Sequence, residues 1–380
     1  MQLTRFSRPR GERGSVAIVV ALLLGPVLLG IGALVVDVGA LYSDRRQQQN
    51  AADASSLAVA HDCAVTLTSC IGVLGQPLVT AQTYASGGSG VPGTHYGAGG
   101  ANSSHADYVC GSATGLTPCT PSQAADCVGP APVSPYVQVR ASTANGAGTS
   151  TLLPSRFASA LAGGPDPGHA TRACARAAYG GVRATTALAV TVSYCEWNTA
   201  TTNGTSFAPP PPYPPKPPTS VEHVLLLHTT SGLGGCSGGP SGWDLPGGFG
   251  WLDDPSGTCS VFVDITGTYG DNTGVSAGQS CKDRIAAAAV FPSSTPIYLP
   301  VYDGAGGTGH GGTYHLRGFA AFVVTGYWLP SSHQKSWLTN KYPCGAPNVC
   351  ISGFFTQGLV PAGGTLGGPP MGASIVSLVG

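Results

Sequence analysis

Ser15 to Val36 (SVAIVVALLLGPVLLGIGALVV) holds no charged residue, and no other stretch constrains the chain as much. Coiled as a helix at ~1.5 Å per residue it reaches ~33 Å, enough to cross a bilayer core. Asp37–Ala60 then turns polar but stays rich in Ala and Gln and contains no Pro. One continuous helix over residues 14–60 is expected, with lipid around its first half and water around its second. Arg5, Arg8, Arg10 and Arg13 precede the span, whereas Arg45 and Arg46 beyond it are offset by Asp37 and Asp44. That bias predicts a single pass through the cell membrane, with the N-terminus cytoplasmic and the C-terminus extracytoplasmic. A cleaved signal peptide is the competing reading, with Val38-Gly39-Ala40 as its small-residue cleavage site. The apolar run exceeds the ~7–15 residues of a signal core and the helical pattern continues beyond the cut, so a retained anchor is the expectation.

Composition narrows the outer part. Only 9% of the 380 residues are charged, and the 17 basic and 17 acidic side chains cancel. Without a basic stripe, nucleic acid is not an expected partner. Gly 57 and Pro 32 favour turns and short strands over a helical body. The cysteines, Cys63, Cys70, Cys110, Cys119, Cys127, Cys174, Cys195, Cys236, Cys259, Cys281, Cys344 and Cys350, all follow the span. An even number confined to the outer side predicts disulfides formed in an oxidising compartment, with the pairing left open. No CxxC occurs, and Cys344 and Cys350 stand too far apart for a tight zinc knuckle, so neither a metal nor another cofactor is expected.

The expected fold class is α+β: a long N-terminal transmembrane and extended helix followed by disulfide-rich, mostly β extracytoplasmic domains. A cytoplasmic tail covers residues 1–14, the span 15–36, a membrane-proximal helix 37–60, a loop-rich region 61–183 and a β domain 184–380. In the loop-rich region the clearest pieces are a strand at Tyr136–Ala141 and an amphipathic turn near Arg156–Leu161, among glycine runs such as SGGSG and GAGG. Thr185–Cys195 reads as one strand, and the Pro-rich segment 208–219 as a polyproline II spacer or exposed loop. From Val221 onward VEHVLLLH, SVFVDIT, PIYLPVYD, YHLRGFAAFVVTGYWL, NVCISGFF and ASIVSLV read as strands of a small sandwich or partly open barrel, with one helix at Lys282–Val290.

Several patterns invite a chemical reading. GCSGGP at 235–240, with His61 upstream, approaches a serine-hydrolase signature. A nucleophile elbow needs a strand and a helix around Ser237, and here glycines precede it and Pro240 follows, so no catalytic residue is expected. His310 and His315, with Asp303 nearby, lack the further ligands that a metal site requires. In LLLHTTSG, His228 stands where the leading carboxylate of a cation-dependent adhesion loop would be. Phe249, Trp251, Tyr327, Trp328 and Trp337 could stack on a glycan, although such rings more often pack in a core. Within the span, Pro26 should bend the helix, and Gly25, Gly30 and Gly32 thin one flank for close helix approach.

Arg13-Gly14-Ser15-Val16-Ala17, Asp37-Val38-Gly39 and above all Gln48-Gln49-Asn50-Ala51-Ala52-Asp53-Ala54 resemble the N-terminal segment of TadE/TadG-like Flp (type IVb) pilus assembly proteins. The signature positions carried over are Arg13, Gly14, Asp37, Gly39, Gln49, Asn50, Ala51, Ala52 and Asp53. SYCEW around Cys195, the run Pro246–Asp253, Phe319–Tyr327 and CISGFF from Cys350 resemble larger bacterial members of the same group. The resemblance implies a membrane-anchored structural or accessory component of the Tad apparatus, linked to adhesion, whose partners are the membrane and other Tad/Flp pilus assembly proteins. It departs at Val19, where counting from Gly14 places the Glu of processed pilins, so entry into the filament shaft is not implied. The alternative is an anchored module that binds an unidentified glycan or protein on a surface through its C-terminal β domain.

Overall fold

The structure is a computed structural model, and it describes residues 13–66, 70, 76–86, 103–144, 170–213, 215–227, 249–270, 278–292, 295–306, 312–361 and 363–379. Residues 1–12, the glycine runs, Arg156–Leu161, His228, the GCSGGP loop with Cys236 and Ser237, and His310 lie outside the described residues.

Helix α1 (Arg13–Thr66) is a single rod of 54 residues that continues through Pro26 and through Val38-Gly39-Ala40. Its most apolar window has a mean hydropathy of 2.7 and no buried residues. Leu22, Leu28, Leu29 and Leu34 are 63–73% exposed, so the first half presents hydrocarbon all round. A helix apolar on every side needs an apolar surrounding, and a bilayer supplies one. The second half behaves differently. Ala51 and Ala52, Ser55 and Ser56, Val59 and Ala60, and Cys63 and Ala64 are buried, a paired repeat every fourth residue that lines one helix face. These small side chains let the helix axis lie close against a sheet.

That first sheet runs β1 (Ser103–Gly111), β2 (Tyr136–Ala144), β3 (Arg172–Leu188), β15 (Ala373–Leu378), β13 (Gly358–Leu359). Two further strands, β7 (Ser260–Asp264) and β14 (Thr365–Gly368), pair with the later part of β3. Alternation decides which side chains meet the helix. Val137, Val139 and Ala141 of β2 and Ala175, Ala177 and Tyr179 of β3 are buried in one cluster with Ala52, Val59 and Ala60 of α1. Helix α2 (Pro77–Ala85) packs beside α1, and α3 (Pro121–Ala124) opens with a capping box formed by Thr120 and Gln123.

The second sheet runs β5 (His223–Leu226), β12 (Cys350–Thr356), β10 (Thr313–Leu329), β9 (Ile297–Gly306), β4 (Val190–Ser193), β6 (Phe249–Trp251), with β8 (Thr268–Gly270) and β11 (Ser332–Gln334) pairing with β10. Phe322 and Val324 of β10 share the main core with Val182 and Leu188 of β3 and Val263 of β7, so the two sheets face each other, with β1, β2 and β3 from before Val221 supplying much of the first. Helix α5 (Gln279–Ala288) contributes Ile285 to that core, close to the expected Lys282–Val290.

Two local expectations change. Thr185–Cys195 is not one strand: β3 begins already at Arg172, the chain breaks pairing at Ala189, and β4 ends at Ser193. Ser193 then caps helix α4 (Tyr194–Ala200), accepting from the Cys195 N–H at 3.2 Å, so Cys195 is helical. The Pro-rich segment is not a spacer but a strap across the back of the second sheet. Its Tyr213 is 5% exposed and packs on Trp337 and Phe354 at 5.8 and 6.1 Å between ring centroids. Residues 183 and 184 both lie inside β3, and the C-terminal strand β15 returns to pair with that same strand.

Candidate functional site: the helix and its seat

The polar signature of α1 makes the joint between rod and body. Gln49 Nε2 donates to Asp53 Oδ1 at 2.8 Å, one helical turn on, and to the Cys174 carbonyl of β3 at 3.3 Å. Ser55 Oγ donates to the Ala81 carbonyl of α2 at 2.8 Å, and Thr80 Oγ1 donates to Asp62 Oδ2 at 3.2 Å. Gln82 Oε1 in turn accepts from the Ala106 N–H of β1 at 2.9 Å. The Cys63–Cys70 disulfide closes the far end of the helix. Ala51 and Ala52 lie against the sheet, Asn50 is exposed, and Asp37 is only 8% exposed.

The opposite face of the rod is open. At about 100° per residue, Gly25, Gly32, Gly39, Ser43, Asn50, Ala54 and His61 share one side of α1, away from Ser55, Val59 and Cys63. A Cβ added at Gly25, Gly32 or Gly39 would meet nothing within 4 Å; Gly30, expected on the same flank, lies about 140° around the helix from Gly25. Further along, Ala54, Leu57, Ala58 and His61 of α1 form a mostly apolar groove of about 500 Å³ with Thr80 and Tyr84 of α2.

Residues 14–62 match the Tad family model, described as "Putative Flp pilus-assembly TadE/G-like". The N-terminal helix is similar to a Tad domain. The match covers the span and most of the helix face that meets the sheet, and it supports a role in Flp pilus assembly. No curated protein and no solved structure matches the chain. The Tad helix thus carries two functions of sequence at once: an apolar rod that fits a membrane anchor, and an Ala/Ser face that holds the outer sheet.

Opposite the Tad helix, the first sheet carries a polar cluster that the sequence did not announce. Arg176 is 1% exposed, yet its guanidinium is fully engaged. Nε donates to Gln138 Oε1 at 2.9 Å, Nη1 to the Gly129 carbonyl at 2.8 Å and Nη2 to the Ala124 carbonyl at 2.7 Å. Nearby, Asp126 accepts from Tyr108 Oη at 2.6 Å and from Arg140 at 3.0 Å, while Asp107 accepts from Arg140 at 2.8 Å. Burial, reinforced by the bond to Asp126, pushes the Tyr108 hydroxyl up to about 12. The Cys127–Cys174 and Cys110–Cys119 disulfides staple this loop to β3 and β1.

The cysteine candidates pair locally: Cys259 with Cys281 and Cys344 with Cys350, besides the three bridges already named, and Cys195 is also disulfide-bonded. The glycan-stacking set is mostly absorbed by the core. Phe249, Trp251 and Tyr327 are 1%, 3% and 5% exposed, and Trp337 packs under the strap while its Nε1 donates to the Val324 carbonyl at 3.1 Å. His315 Nδ1 lies 2.6 Å from Asp303 Oδ1, and Arg317 shares that carboxylate at 3.4 Å, as an exposed ion-pair cluster. His61 is exposed on α1, 3.7 Å from Asp62. Glu222, also unforeseen, accepts from Thr325 and Ser336 at the edge of the second sheet.

Proposed function

We propose that this protein is a non-enzymatic, membrane-anchored component of the Flp pilus assembly machinery. Its Tad helix is held in the cell membrane with the N-terminus cytoplasmic, and the disulfide-bearing body acts outside as a scaffold. The observation that carries this reading is the continuity of α1: one helix is naked hydrocarbon over the span and hydrogen-bonded to the outer sheet 13 residues after Val36, at Gln49. An unbroken helix would transmit position from the membrane to the body. Its thin, open face, from Gly25 through Gly32 and Gly39 to Ala54, is where other helices of the apparatus would pack.

The test is complementation of a gene deletion. Deletion should reduce surface pili and adherence, and the wild-type gene should restore them. A Cβ placed at Gly32 meets nothing within 4 Å, so Gly32→Leu starts from open space. It should therefore leave the body folded and the protein in the membrane while lowering piliation. Unchanged piliation in the deletion strain contradicts the assembly role, and full rescue by Gly32→Leu contradicts helix association through that face.

A further inference from the structure

We propose that the cleft between β3, β7, β9 and α5 is a binding site for an acidic sugar residue, a single ring bearing a carboxylate. The cleft has a volume of about 360 Å³, within the range of small-molecule sites. Its floor is apolar, formed by Leu188, Ala288 and Ile297, and suits the C–H face of a sugar ring. Thr186, Ser260 and Thr295 also line it, and a hydroxyl side chain can both donate to and accept from a ring hydroxyl.

Arg284 supplies the charge. Its Nη1 donates to the Cys259 carbonyl at 3.0 Å, which holds the guanidinium in place. Among the described residues the arginine ion pairs belong to Arg140, Arg183 and Arg317, and Arg284 has none. The remaining N–H groups of its fork match a carboxylate. The Cys259–Cys281 disulfide joins the start of β7 to α5, so the wall bearing Ser260 and the wall bearing Arg284 stay in register. Such a preformed cleft spends little free energy on ordering when it binds. A neutral sugar would leave the cation unused, and a small peptide carboxylate would leave Thr186, Ser260 and Thr295 around the apolar floor unused. This site is independent of the assembly role, so either can fail alone.

The full chain in nanodiscs is titrated with methyl glucuronide and with methyl glucoside, and binding is followed by ligand-observed NMR. Saturable glucuronide binding is expected, with the glucoside about tenfold weaker or more and Arg284→Gln reduced by a similar factor. Ala287→Trp, at an exposed lining position, fills the cleft without altering the guanidinium and should abolish binding. Equal affinity for the two sugars, undiminished binding by either variant, or no saturation below about 50 mM glucuronide overturns the proposal. Tighter binding of N-acetylalanine than of the glucuronide also overturns it. Should Arg284→Gln fail to fold, the comparison of sugars and Ala287→Trp still decide.

Discussion

Arg176 shows how far a single residue can depart from what its type suggests. An arginine in RACARAAYGG reads as a solvent-facing strand position, because an isolated buried guanidinium is prohibitively costly. Here Gln138 and the carbonyls of Ala124 and Gly129 satisfy it, and those partners sit 38 to 52 residues away in sequence. No local pattern could have revealed them. Arg176→Met should destabilise the detergent-solubilised chain by about 1–3 kcal/mol in denaturant unfolding, since it leaves the buried Gln138 amide oxygen without its donor. A loss under about 1 kcal/mol would mean that the cluster contributes little. A second residue-scale prediction concerns acid. Burial lowers the pKa of His223 below 6.5, only partly opposed by the charge of Glu222. The unfolded chain therefore binds the proton more readily, so the stability tied to His223 is present above 6.5 and is lost as pH falls through the lower, folded value. Stability measured from pH 7.5 to 5 should fall less steeply for His223→Gln than for the wild type. Parallel slopes would contradict the burial effect.

At the scale of elements, α1 was legible and β3 was not, for one physical reason. The helix announces itself because lipid demands an unbroken apolar run and the sheet demands small residues at every fourth position, and both are local patterns. Strand β3 is built of Ala, Arg and Gly and owes its extended form to five neighbours: β2, β15, β14, β7 and the helix packed on it. The Pro-rich segment is largely exposed, as a loop would be, but Tyr213 gains its burial from distant Phe354 and Trp337. The valine-rich strands after residue 221 were found because their sequence and their burial agree. Two element-scale predictions follow from packing. Ala52 is fully buried between helix and sheet, so Ala52→Leu should cost about 1–3 kcal/mol and loosen the seat, seen as faster hydrogen exchange in β2 and β3. The Cys127–Cys174 bridge closes a separation of 47 residues, and replacing both by Ser should cost on the order of 4 kcal/mol by loop entropy. Exchange rates or stability unchanged by these substitutions would show that helix and loop are only loosely attached.

For the whole molecule, the arrangement couples an apolar rod to a two-sheet body whose last strand, β15, returns to the sheet on which the rod lies. The described disulfides all lie in the body, after the apolar run. Among the described residues, Trp251 is taken up by packing, and His315 and Asp303 form an exposed ion pair. The proposed anchor is the feature on which the assembly role depends. It is tested most directly by thiol accessibility in living cells. Single-cysteine additions at Ser7 and at the exposed Val133 are treated with a membrane-impermeant maleimide in spheroplasts, and the membranes are then washed with carbonate. The anchored arrangement predicts that Val133→Cys is labelled from outside and Ser7→Cys only after lysis, both on a chain that stays in the membrane pellet. Labelling of Ser7→Cys from outside, or a soluble product that begins near Tyr42, would contradict it.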